Sequence, residues 1–154
     1  MSRIVRVASG QGFWGDWLDA PRRQVEGGPV DYLMLDYLAE VTMSILQKQR
    51  ERDPKMGYAR DFIGAMESVF PAVVERGVRV IANAGGVNPP ACAAAVREAA
   101  QRAGHAGRLR MGVVTGDDLL PRLDALLAEG HRLANMDTGE PLDSVRDRVL
   151  AANA

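Results

Sequence analysis

Two pairs of acidic residues stand where they could do chemistry. Asp36 ends a largely apolar stretch, and Glu40 follows it at the start of a helical pattern. Neighbouring carboxylates of this kind could transfer protons or hold a divalent metal. The alternative is that Glu40 only complements the dipole of the helix it begins, as acids do in first turns. Asp117 and Asp118 present the same choice, because Asp117 is also a natural helix N-cap.

Adjacent glycines occur between a β-branched stretch at 78–83 and an alanine-rich segment with helical spacing. Gly85 and Gly86 permit backbone angles that other residues avoid. Asn83 precedes them, and Asn88 is a good N-cap for the helix that follows. A strand, a glycine turn and a helix N-terminus together favour a pocket for a polar or anionic ligand group.

A second glycine-rich stretch, Gly10–Gly15, matches the pattern G-x-G-x-x-G directly after a predicted strand. With Asp36 at the end of the next strand, this spacing is typical of a dinucleotide-binding turn. The bulky Phe13 and Trp14 inside the turn count against that interpretation. A glycine-rich site loop whose aromatic residues line a pocket, or merely pack, remains the alternative.

These residues need a scaffold that brings them together. Alternating strand and helix patterns predict an α/β layered sandwich with a mostly parallel, Rossmann-like sheet of about four strands. The predicted strands lie near 4–8, 30–36, 78–83 and 109–115. The second is so apolar that we expect it to be buried on both faces. Since ligands bind outside the carboxyl edge of such sheets, the four strand ends should form one site, to which the last contributes Thr115 and Gly116.

Composition bounds the remaining possibilities. The chain has 154 residues, of which 19 are basic and 20 acidic, and its formal net charge of −1 argues against nucleic acid as a partner. It lacks an apolar run of the ~20 residues that a membrane span needs. One cysteine and no zinc signature exclude a disulfide framework and a cysteine-based zinc site and predict a protein of the reducing cytoplasm. No residue is assigned as a metal ligand. We expect an α/β domain over residues 1–130 and a loop with a terminal helix over 131–154.

Five short motifs, in this order and spacing, resemble the acyclic terpene utilisation (AtuA-type) family. They are Ser9–Asp16 (SGQGFWGD), Asp36–Glu40 (DYLAE), Asp53–Tyr58 (DPKMGY), Asn83–Pro89 (NAGGVNP) and Val114–Asp118 (VTGDD). The resemblance implies a catabolic protein that acts near branched acyl-CoA steps in the degradation of terpenoids and related acids. Members of the family are several times longer than an ordinary single domain. The resemblance therefore also implies that this chain corresponds to their N-terminal α/β domain and is an incomplete part of a larger fold.

Three functions follow as hypotheses. In the first, the chain is part of a lyase- or hydratase-type enzyme that acts on a carboxylate or acyl-CoA, with Asp36 or Glu40 as the acid/base. The proposed binding residues are Gly10, Gly12, Asn83, Gly85, Gly86, Asn88, Thr115, Gly116, Asp117 and Asp118. In the second, Gly10–Gly15 and Asp36 bind NAD or FAD; the cofactor of the first hypothesis is left unknown. In the third, the chain is a non-catalytic interaction subunit, and we expect a homo-oligomer or association with the remainder of the protein.

Overall fold

A computed structural model describes residues 4–153 of the chain. Within that range the strands are β1 (Val7–Gln11), β2 (Tyr32–Leu35) and β3 (Arg79–Ala82). The α-helices are α1 (Ala20–Glu26), α2 (Glu40–Arg52), α3 (Asp61–Arg76), α4 (Pro89–Arg102) and α5 (Leu123–Ala128). Two 3₁₀ helices span Leu120–Arg122 and Leu142–Arg148. The chain divides into two compact units, one up to Val113 and one from Val114 onward.

The three strands of the first unit form a parallel sheet in the order β1-β2-β3. Leu33 in the middle strand lies opposite Ala8 of β1 and Val80 of β3. Each connection from one strand to the next contains helix, as parallel pairing requires. The predicted α/β class with a parallel sheet is therefore confirmed, with three strands in the described residues instead of about four.

One face of this sheet carries the core of the first unit. The strand residues Leu33 and Leu35 are at most 1% exposed. The core cluster also includes side chains from helices α1, α3 and α4, among them Val25, Met66, Val69, Phe70, Val96 and Ala99. Because the strand order follows the chain order, right-handed crossovers place the helices on the same side of the sheet.

The other face of the sheet is open. Ser9, Met34 and Ile81 lie side by side on it, and the last two are 43% and 58% exposed. On the same face the Arg79 guanidinium lies 5.4 Å from the centre of the Tyr32 ring and donates to its hydroxyl. The expectation that the second strand is buried on both faces is thus wrong, because its apolar sequence does not reveal on which side the helices pack.

Two predicted strands differ from the structure. The first strand was expected near 4–8 but spans Val7–Gln11, where the ladder to β2 forms. The fourth, expected at 109–115, is not a strand in the described structure. Leu109 and Met111 do pack against the core, so the alternation in this stretch signals burial without strand pairing.

The second unit has mostly irregular structure. The 3₁₀ turn Leu120–Arg122 leads directly into α5, and the predicted terminal helix is the 3₁₀ segment Leu142–Arg148. Leu119 N–H donates to the Ala152 carbonyl at 2.8 Å. Among the residues described, none belongs to a helix long and apolar enough to cross a membrane.

Candidate functional site

The carboxyl ends of β2 and β3 meet through Asn83. Its side-chain N–H₂ donates to Oδ1 of Asp36 at 2.7 Å, and its Oδ1 accepts from the Tyr37 backbone N–H at 2.7 Å. Asn83 therefore ties the end of one strand to the end of the next. Two predicted site residues lie in direct contact, and the Asp36 carboxylate has a fixed orientation.

Glu40 is the first residue of α2 and is exposed. Its carboxylate makes no hydrogen bond or ion pair with any residue from 4 to 153. An acid in the first turn stabilises the helix through its dipole. The same position leaves the carboxylate accessible to a ligand at the edge of the sheet, so both interpretations of Glu40 remain.

Gly10 bulges from the ladder between β1 and β2. A Cβ there would lie 3.0 Å from the side chains of Leu33 and Leu35 and 3.1 Å from Cα of Pro21. Such contacts are tighter than ordinary packing, so the position needs a residue without a side chain. The glycine is thus explained by packing between the sheet and α1, independently of any ligand.

The turn after β1 is held by Asp16. Its carboxylate accepts from the N–H of Gly12 at 3.0 Å and from the N–H of Trp17 at 2.7 Å. These bonds, that of Gly12 foremost, hold the pKa of Asp16 below its usual value. The Gly12 amide predicted to contact a ligand therefore already has an acceptor in this structure.

This turn does not lead directly into a helix. Helix α1 begins only at Ala20, after Gly15 and a further turn, and its N-terminus has no side-chain cap. A dinucleotide-binding turn instead places the pyrophosphate at the N-terminus of the helix that immediately follows the glycines. The geometry around Gly10–Gly15 consequently does not favour the dinucleotide hypothesis.

The glycine loop after β3 is joined to the loop before α3. Val87 N–H donates to the Gly57 carbonyl at 3.0 Å, and Ala59 N–H donates to the Ala84 carbonyl at 2.9 Å. The Asn88 side chain donates to the carbonyls of Pro54 and Met56 at 2.9 and 2.7 Å. Two of the five motifs, Asp53–Tyr58 and Asn83–Pro89, are thereby packed together.

Within that loop Gly85 and Gly86 are needed for close contact. A Cβ on Gly85 would lie 2.9 Å from Cα of Pro89. Gly86 has a φ of +52°, and a Cβ there would lie 2.7 Å from the Gly57 carbonyl oxygen. Asn88 caps α4 by accepting from Ala91 N–H at 3.4 Å. These residues shape the edge of the sheet, and their contact with a ligand stays a prediction.

Two polar side chains at this edge were missed by sequence reasoning. Gln11, the last residue of β1, and Tyr37, just beyond β2, are each 1% exposed. Neither the Gln11 amide nor the Tyr37 hydroxyl has a hydrogen-bond partner among the described residues. A buried polar group without a partner costs ~1–3 kcal/mol, so each calls for an explanation. A signal was present: Gln11 is the polar residue inside the glycine motif at a strand end.

Cys92 lies in the first turn of α4 and is 5% exposed. Burial raises the pKa of its thiol to about 12. The thiolate is the reactive form of cysteine, so this residue is inert near neutral pH. Cys92 therefore belongs to the core and not to the candidate chemistry.

The remaining predicted residues belong to the second unit. Asp118 accepts from Leu120 N–H at 3.1 Å, and Asp117 accepts from the Asn153 side chain at 3.0 Å. Asp118 thus stabilises the local turn, whereas Asp117 joins this turn to the end of the described chain. Thr115 and Gly116 are exposed. Their contact with a ligand stays a prediction.

Two cavities lie apart from the predicted residues. One of about 470 Å³ in the second unit is lined by Leu127, Ala128, Gly130, His131, Arg132, Pro141 and Asp143. Another of about 170 Å³ lies between α1 and α3. No group of three or more His, Cys, Asp or Glu side chains in residues 4–153 is arranged to hold a metal ion.

Comparisons with known proteins identify the family. The family profile described as "Acyclic terpene utilisation family protein AtuA" matches residues 5–154. Neither the search of curated proteins nor that of solved structures found a significant match. The profile covers nearly the whole chain, including all five motifs quoted above. The chain therefore belongs to the acyclic terpene utilisation AtuA family.

Proposed function

We propose that this domain binds a branched carboxylate or acyl-CoA thioester outside the carboxyl edge of its sheet. The chemistry would be a proton-transfer or hydro-lyase step in the catabolism of terpenoid or related branched acids. Support comes from family membership together with the position of the polar strand ends, since ligands of parallel sheets bind at that edge.

The observation that carries this proposal is the Asp36–Asn83 pair. Asn83 holds Oδ1 of Asp36 at 2.7 Å, whereas Oδ2 has no hydrogen-bond partner among the residues described. One carboxylate oxygen is thus oriented and the other is free to accept a proton. A positioned carboxylate is an ordinary general base for a proton next to a thioester carbonyl. Glu40 would be the second acid/base group.

Exchange of α-protons tests this function without knowledge of the full reaction. The whole chain is incubated with isovaleryl-CoA in D₂O, and deuterium incorporation next to the carbonyl is followed by NMR. We expect Asp36→Asn to reduce the exchange rate by roughly 10²-fold or more, the usual contribution of a general base. Glu51→Gln, at the far end of α2 from Glu40, is the matched control and should exchange at the wild-type rate.

Two outcomes would contradict the assignment. Exchange by the wild-type chain no faster than in buffer would exclude a proton-transfer role for the chain. Undiminished exchange in both Asp36→Asn and Glu40→Gln would move the chemistry away from this edge. A loss confined to Glu40→Gln would instead identify Glu40 as the base.

A second candidate function is association, and the open sheet face favours it. We propose that this face binds a second copy of the chain, because the adjacent exposed side chains of Met34 and Ile81 could pack against the same pair about a two-fold axis. Light scattering should then give twice the monomer mass, and Ile81→Lys should reduce it to the monomer. Val41→Lys, on the exposed side of α2, is the control. A wild-type chain that is monomeric at all concentrations would exclude this proposal.

A further inference from the structure

Gln11 and Tyr37 point to the same side of the sheet. The bulge at Gly10 shifts the register of β1 by one residue, so that Gln11 pairs with Leu35. Bulges re-aim side chains in this way, often beside functional sites. Leu35 belongs to the core, and Tyr37, two residues further on, belongs to the same core cluster. Gln11 and Tyr37 are thus both buried at the carboxyl ends of neighbouring strands, on the side of the sheet that carries the core.

Contacts of both its backbone and its ring fix the position of Tyr37. Its backbone N–H is held by Asn83 at 2.7 Å, and its ring packs edge-on against Phe62 with centroids 5.8 Å apart. Burial first, and then the Asp61 carboxylate and the Cys92 thiol, raise the pKa of the Tyr37 phenol. The hydroxyl therefore keeps its proton at neutral pH and can only act as a neutral hydrogen-bonding group.

We propose that the Gln11 amide and the Tyr37 hydroxyl form the binding site for the carbonyl oxygen of the ligand. This inference rests on the proposed function and assigns two residues to it. A carbonyl oxygen has two lone pairs and can accept from the Gln11 N–H₂ and the Tyr37 O–H together. When a base removes the α-proton, the C–H electron pair moves toward that oxygen. Two donors already in place would stabilise the negative charge that develops there.

A reporter for this site is built into the chain. The two tryptophans of the sequence, Trp14 and Trp17, lie in the turn that directly follows Gln11. Trp14 packs against the core, whereas Trp17 is 57% exposed and stacks with Arg23 at 4.6 Å. A ligand that reaches the Gln11 amide would lie close to the start of this turn. Binding should consequently change the tryptophan fluorescence.

The first experiment measures stability. Gln11→Leu and Tyr37→Phe remove the polar atoms while nearly keeping the shape of each side chain. If those atoms are kept for a ligand, their removal leaves the melting temperature of the ligand-free chain equal or raises it. Tyr32→Phe is the control, because its hydroxyl is bound by Arg79 on the open face. A melting temperature several degrees lower in both Gln11→Leu and Tyr37→Phe would show that these atoms are satisfied within the fold and overturn the inference.

The second experiment titrates the same variants with isovaleryl-CoA and with free coenzyme A, using tryptophan fluorescence. We expect the wild type to bind the thioester and each variant to bind it at least tenfold more weakly. The controls are Gln24→Leu, at an exposed position of α1, and Tyr32→Phe, and both should bind like the wild type. Wild-type affinity in both Gln11→Leu and Tyr37→Phe would overturn the inference and leave the proposed function standing. Equal affinity of the wild type for thioester and free coenzyme A, or none for either, would instead overturn the proposed function and with it this site.

Discussion

The two faces of the sheet differ far more in environment than in sequence. Leu33 and Met34 are consecutive residues of β2 with similar hydrophobicity, yet they are 0% and 43% exposed. Leu33 faces helices and Met34 faces solvent. The apolar character of the strand goes with its central place in the sheet. Which of its side chains are buried depends on where the crossover helices pack. Substitutions on the two faces should therefore have unequal effects.

The largest difference should come from truncating these two neighbours. Leu33→Ala removes a fully buried side chain and should lower the free energy of unfolding by ~2–5 kcal/mol. Met34→Ala loses only part of its contacts, so we expect a cost of less than about 1 kcal/mol. Urea denaturation of both variants measures this difference. Equal costs would mean that the open face is covered in solution.

A comparable pair occurs in β1. Gly10→Ala pushes a methyl group against Leu33 and Leu35 on the covered side and should cost ~1–3 kcal/mol, as overpacking does. Ser9→Ala lies on the open side and should stay within about 0.5 kcal/mol of the wild type. Chemical denaturation again provides the measurement. A neutral Gly10→Ala would show that the bulge can relax.

Alkaline pH should lower the free energy of unfolding through Cys92, a buried residue of α4. Its folded-state pKa of about 12 lies above the ordinary thiol value of 9.0. Between these two pH values the unfolded chain therefore loses a proton that the folded chain keeps. Stability must therefore fall as the pH rises from 9 toward 12, by up to ~1.4 kcal/mol for one pH unit. Cys92→Ala should show a correspondingly smaller fall in denaturation experiments at pH 8 and pH 10. An identical fall would assign the effect to other groups.

The smallest effect should come from Asp16, which lies in the exposed turn outside both faces. Hydrogen bonds to its carboxylate lower its pKa in the folded state. Asp16 therefore stabilises the fold above its unfolded-state pKa, and this stabilisation is lost as the pH falls through its folded-state pKa. Asp16→Asn should slightly lower the melting temperature at pH 7 and bring no change at acidic pH. Thermal melts at both pH values test this, and a larger effect at low pH would reverse the assignment.

Much of the first unit was predictable, since the strands near 30–36 and 78–83 and the helices around them follow from hydrophobic spacing. The fourth strand was not, because Leu109 and Met111 show that alternation reports burial and carries no information about strand pairing. At the site, Asp36 and Asn83 were foreseen as neighbours from parallel-sheet geometry alone. Gln11 was not, because its burial depends on a one-residue bulge that no periodicity reveals. The hydrogen bond from Gly12 N–H to Asp16 was not predictable either, because it depends on the conformation of the turn.

The bonds between the loops at 53–58 and 83–89 have a consequence for the chain's dynamics. Both loops are rich in glycine and proline, a composition associated with rapid amide exchange and easy cleavage. Yet backbone carbonyls of the opposite loop accept hydrogen bonds from the N–H groups of Ala59 and Val87 and from the side-chain N–H₂ of Asn88. Arg50 also donates to the Val87 carbonyl at 2.6 Å. These loop amides should exchange with deuterium as slowly as those of the helices they join. Residues inserted in either loop would break this alignment, so loop length here is as constrained as that of a strand.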